Sequence, residues 1–146
     1  MEKDINSSEV KGINISDSAE GKPCIAFDMD NIEEARRHME LEIIEDYGDF
    51  LYGHDLYTWD SGCRRLFRCK NCGGYVLGQF SVYEYISDDR SYYKDYFPVS
   101  GPVEADKLNR EYNGFSIETE FKKRWMVGNN NEWHWSRAKE DTTCET

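Results

Sequence analysis

The tightest constraint in this chain is the segment Cys69-Lys70-Asn71-Cys72-Gly73-Gly74. Two cysteines separated by two residues can direct both thiolates at one tetrahedral ion, and the glycines that follow let the backbone turn beneath the sulfurs. Cys69 and Cys72 are therefore read as half of a structural zinc knuckle. A redox pair of the thioredoxin type would open a helix after a strand, whereas Tyr75-Val76-Leu77 continues as a strand.

The other ligands are sought by hairpin arithmetic. Residues 56–60 and 63–69 read as strands flanking Ser61-Gly62, and a two-residue loop would place His54 directly opposite Cys69, within reach of a shared metal. A three-residue loop would put His54 opposite Arg68 instead. Cys63 is a further candidate, but only if the residues up to Cys69 are not extended, because six residues of strand span about 20 Å. Cys24, His38, His134, Cys144, Asp49 and Asp55 complete the candidates, and the sequence does not choose among them. Cys24 and Cys144 otherwise read as ordinary thiols. Five cysteines, odd in number and unevenly spread, fit reduced thiols and a metal better than a disulfide framework.

With 146 residues, one domain is expected, spanning 23–136, preceded by a polar tail over 1–22 and followed by another over 137–146. Eighteen basic against 29 acidic residues give a formal charge of -11, which disfavours general nucleic-acid binding and favours a basic partner. No apolar run is long enough to span a membrane, and the amino terminus lacks a signal pattern, so a cytoplasmic location is expected.

Cys24 to Phe27 reads as a short strand. Asp30 is placed to cap a helix whose apolar face carries Ile32, Ala35, Met39, Ile43 and Tyr47 and which stops at Gly48. Phe27-Asp28-Met29-Asp30 also resembles the first motif of haloacid-dehalogenase-type phosphohydrolases, in which a strand delivers one aspartate as nucleophile and another as acid/base. That family's usual Gly-Thr is Asn31-Ile32 here, and no alternation of strands and helices follows; helix capping by Asp30 is the preferred reading.

Beyond the knuckle, 75–86 and 92–99 read as strands. Ser100-Gly101-Pro102 opens a second helix with Ala105, Leu108 and Tyr112 inward, ending at Asn113-Gly114. Phe115 to Phe121 alternates like a half-buried strand, and the segments 125–127 and 133–135 flank Gly128-Asn129-Asn130-Asn131 as a hairpin. The expected class is α+β, a mainly antiparallel sheet with a zinc-knuckle hairpin and two amphipathic helices.

Two surfaces could engage a partner. One is the basic island Arg64, Arg65, Arg68 and Lys70, whose alternative role is to guard a strand edge. The other is the acidic tyrosine cluster Tyr83, Tyr85, Asp88, Asp89, Tyr92, Tyr93 and Asp95. Signatures such as G-x-S-x-G, a P-loop or H-E-x-x-H are absent. The leading expectation is a non-enzymatic acidic interaction protein of inhibitor or immunity type that covers a basic surface. The alternatives are a zinc-dependent hydrolytic enzyme with an open metal position and a zinc-ribbon nucleic-acid binder using the basic patch.

Overall fold

A computed structural model describes residues 21–51, 61–84, 90–114 and 116–136. Six antiparallel strands lie in sequence order: β1 (Leu41–Leu51), β2 (Ser61–Cys69), β3 (Tyr75–Glu84), β4 (Arg90–Val99), β5 (Met126–Asn129) and β6 (Glu132–Trp135). Two helices, α1 (Ile32–His38) and α2 (Pro102–Glu111), complete the expected α+β class. No helix among the described residues is long and apolar enough to cross a membrane.

Alternation along the strands divides the sheet into two buried faces. On one, Phe67, Val76 and Met126 pack with Cys24, Ala26, Phe27 and Ala35, which come from α1 and the segment before it. On the other, Leu66, Leu77 and Phe97 face one another across β2, β3 and β4 and are covered by Ala105, Ile117, Phe121 and Trp125. The second face also carries a polar row, Arg64, Gln79 and Asp95, at paired positions on the same three strands. All three side chains are buried.

Several local expectations are corrected. The first helix ends at His38, and residues 41–51 form the outer strand instead of continuing to Tyr47. Leu41 and Ile43 alternate with Glu40 and Glu42, and the β-branched Ile43-Ile44 pair favours strand. Ladder bonds to β2 then settle the choice. Ser61 and Gly62 belong to that ladder, opposite Leu51 and Phe50, so they form no turn. Cys69 consequently has Leu41 as its partner on β1.

Asn31, rather than Asp30, caps α1, its Oδ1 accepting the Glu34 N–H at 3.0 Å. The expected strand at Cys24 is a 3-10 turn, Ile25–Asp28, held by Arg124, which donates to the Phe27 and Met29 carbonyls at 2.8 and 2.7 Å. Asp28 lies exposed on this turn beside an antiparallel sheet. The strand-delivered nucleophile that its motif suggested is therefore not built.

Likewise, Ile117–Thr119 is a 3-10 turn rather than a strand. Ile117 and Phe121 both reach the core, as either period would allow, and the local bonds from the Glu120 and Phe121 N–H groups to the Ile117 carbonyl, both 3.1 Å, decide for the turn. The final hairpin forms as expected around Asn130-Asn131, whose φ angles of 55° and 66° suit a two-residue turn matching the sheet's twist.

Candidate metal centre

The turn joining β2 to β3 is closed by its own backbone. The Cys69 N–H donates to the Gly74 carbonyl at 2.8 Å, and the Gly73 N–H to the Cys69 carbonyl at 2.7 Å. Gly73 adopts φ of 77°, which a side chain would oppose. The Gly74 N–H points at the Cys72 sulfur, 3.4 Å away, as suits a thiolate acceptor.

Two further segments converge on this turn. Residues before the 3-10 turn run along the start of β3: Tyr75 N–H donates to the Lys22 carbonyl at 2.9 Å and Cys24 N–H to the Tyr75 carbonyl at 3.1 Å. This places the Cys24 thiol against Cys72, sulfur to sulfur 3.7 Å. From the other side, α1 ends at His38, whose carbonyl accepts from the Asn71 side chain. His38 Nε2 lies 3.7 Å from the Cys69 sulfur.

The ligand atoms of Cys24, His38, Cys69 and Cys72 all lie within 4.8 Å of one another. A tetrahedral ion with sulfurs at about 2.3 Å holds its ligand atoms about 3.8 Å apart. The two 3.7 Å separations match that edge. This group can hold a metal ion, and its donors, three sulfurs and an imidazole, favour a soft or borderline one. Cys24 and Cys69 are buried, His38 is half-buried and Cys72 is exposed.

Burial raises the thiol pKa of Cys24, and the neighbouring Cys69 and Cys72 raise it further against a backbone hydrogen bond at Ala26. Burial acts in the same direction on Cys69, but backbone hydrogen bonds at Glu40, Cys72 and Asn71 outweigh it and lower that pKa. The surroundings thus favour ionisation at Cys69 and oppose it at Cys24 unless a cation compensates.

Of the expected metal residues, Cys69 and Cys72 are brought together, and Cys63 is not part of the cluster. Cys63 lies farther along β2, opposite Asp49 and Phe80, where burial raises its pKa. His54 lies outside the described residues, as do Asp55 and Cys144. His134 is on β6, 3.9 Å from Glu132. Cys24, read as ordinary, and His38, left among undecided candidates, complete the group. Their signal is weak because Cys24 and His38 are widely spaced in sequence and meet only through tertiary structure.

The expected partner surfaces are redistributed. Arg64 is fully buried and donates from Nε and Nη2 to Gln79 Oε1 at 3.1 and 3.0 Å. It is therefore no part of an exposed basic island: its even position on β2 turns it inward with Leu66. Arg65 pairs with Asp46 at 3.1 Å, and Arg68 donates to the Gly73 carbonyl. Asp95 is buried and accepts the Trp125 indole N–H at 3.0 Å, while Tyr83 bonds Ser116 at 2.8 Å. Burial and then the Glu118 charge raise the Asp95 pKa well above the carboxylate range. Tyr92 is exposed and Tyr93 half-buried against Tyr83. Tyr85, Asp88 and Asp89 lie outside the described residues.

The chain matches no protein-family model, no curated protein and no solved structure.

Proposed function

We propose that this protein is a non-enzymatic interaction protein stapled by a structural zinc ion. The observation that carries the reading is the four-residue group Cys24, His38, Cys69 and Cys72, drawn from three separate segments. Three thiolates and one imidazole are a common structural zinc set, and four protein ligands leave no position for the water that a hydrolytic zinc requires. The zinc-hydrolase alternative is weakened for that reason.

The partner we infer is a basic macromolecular surface, which an inhibitor or immunity-type protein would cover. The charge of -11 supports this reading, as does its placement: Glu40, Glu42, Glu45 and Asp49 are exposed on and beside β1, the outer strand. Exposed Ile43 and Ile44 supply apolar contact among those carboxylates. A nucleic-acid role resting on the basic island is weakened, since Arg64 is internal and Arg65 is paired.

The zinc reading is tested by elemental analysis and cobalt substitution of protein purified without chelator. One zinc per chain, and a tetrahedral thiolate spectrum with cobalt, are expected; absence of metal overturns it. The partner reading is tested with complexes recovered from lysate. Association that slows steeply with salt, and slows again on Glu42→Lys with Glu45→Lys, is expected. Salt-independent association, or metal-dependent turnover with no macromolecular partner, overturns it.

A further inference from the structure

The sheet face that carries the metal cluster is only partly covered. Near the ends of β2, β3 and β4 farther from the cluster, a cavity of about 360 Å³ opens over Cys63, Phe80, Val82 and Tyr92. Beside it, a second cavity of about 310 Å³ lies between the end of α1 and the sheet, lined by Arg36, Met39, Leu41, Tyr96 and Trp133. Lys94 lines both. Each has the size of a small-molecule site.

The two halves differ in chemistry. The first has an apolar floor, with Phe80 edge-on to Tyr96 at 6.1 Å, and Asp49 on its rim, a carboxylate that disfavours an anionic head at that end and leaves it for the second half. The second carries two cations, and no carboxylate is among the described residues that line it. Its aromatic wall is preorganised: Trp133 stacks on Tyr96 at 5.4 Å, and the Arg36 guanidinium sits 4.5 Å above Trp133. Glu33 approaches Arg36 only at 3.8 Å along an exposed helix face, a weak competitor. The opposite wall is tied to the metal cluster, because Met39 follows His38 and Leu41 pairs with Cys69.

We propose that these adjoining cavities form one binding cleft for an amphipathic organic anion, its carboxylate held by Arg36 and Lys94 and its apolar body laid over Phe80 and Val82. Two cations beside a low-dielectric aromatic wall attract an anion more strongly than they would in open water. The apolar floor then contributes in proportion to the area it covers. An anion site in a chain of charge -11 has to be local, and here Lys94 is shared by both cavities and lines the second together with Arg36. The cleft adjoins β1, whose Asp49 lines the first cavity and whose Leu41 lines the second, but its anion-holding groups, Arg36 and Lys94, lie on α1 and β4 and do not depend on the partner inferred above.

The test is calorimetric titration of the full, metal-loaded chain with decanoate and with decanol, alongside tryptophan fluorescence. Decanoate is expected to bind saturably at one site and about tenfold more tightly than the uncharged alcohol. Lys94→Ala and Arg36→Ala should each weaken decanoate about fivefold or more while leaving metal content and melting temperature unchanged; Lys123→Ala should not weaken it. A Phe80→Ser variant that keeps its metal should weaken both ligands. Absence of saturable decanoate binding at millimolar concentration, equal affinity for decanol, or indifference to both cation substitutions would overturn the proposal. Because metal content is read in every variant, failure of the cleft is distinguishable from failure of the zinc reading.

Discussion

Gly74 lies with its backbone directly against Cys24: a Cβ added to Gly74 would sit 2.5 Å from the Cys24 amide nitrogen and 2.6 Å from the Pro23 carbonyl oxygen. Neither neighbour is a flexible side-chain end that could swing away. Gly74→Ala should therefore push the Cys24 segment off the start of β3 while leaving all four ligand side chains in the sequence. Metal retention against a competing chelator should fall at least about tenfold. Retention equal to the parent's would show that Cys24 reaches the ion without this close approach.

The ligand assignment makes a ranking. Cys24→Ser, His38→Ala, Cys69→Ser and Cys72→Ser should each lower metal content and destabilise the fold by several kcal/mol, on the order expected when a folding-coupled ion is lost. Cys63→Ser should change neither, because its thiol sits in a different part of β2. Metal analysis with thermal melts decides it, and a metal-free Cys63→Ser protein would reverse the assignment.

The contrast between Cys69 and Cys24 shows what was legible in the sequence. Cys69-x-x-Cys72-Gly-Gly has a local meaning, and its turn forms as the spacing requires. Cys24 and His38 have none until the first segment docks on Tyr75 and α1 stops at its seventh residue. The β3, β4 and hairpin segments were readable because alternation and turn residues agree there. Residues 32–47 were not, since Ile32, Ala35, Met39, Ile43 and Tyr47 satisfy a helical period even though the last two belong to β1. Arg64 was misplaced for a different reason: a charged residue reads as surface unless a buried acceptor such as Gln79 is known.

That buried acceptor is itself testable. Gln79 Oε1 receives Nε and Nη2 of Arg64 and the Ile117 N–H at 3.2 Å, while Gln79 Nε2 donates to Glu118 at 2.7 Å. Gln79→Leu keeps similar volume but leaves those buried donors short of an acceptor. A loss of about 3 kcal/mol or more is expected by chemical denaturation. A loss below about 1 kcal/mol would mean that other partners of Arg64 carry the charge.

Asp95 gives the pH dependence. Its folded-state pKa is raised, first by burial and then by the Glu118 charge, with the Trp125 hydrogen bond opposing. The folded state therefore binds this proton more tightly than the unfolded chain does. The resulting contribution to stability is fully present below the unfolded pKa of about 3.9 and is lost as pH rises through the folded value. Asp95→Asn retains an oxygen for the Trp125 indole while removing the ionisation. Measured against the parent, the variant should lose less stability from weakly acid to alkaline pH and should be the more stable of the two at the alkaline end. Glu118, Tyr83 and Arg64 also belong to this polar region and remain in both proteins; because the Glu118 charge is itself a cause of the Asp95 shift, the comparison reads Asp95 together with its interaction with Glu118. Parallel stability curves for parent and variant would show that Asp95 ionises in the folded protein as freely as in the unfolded chain.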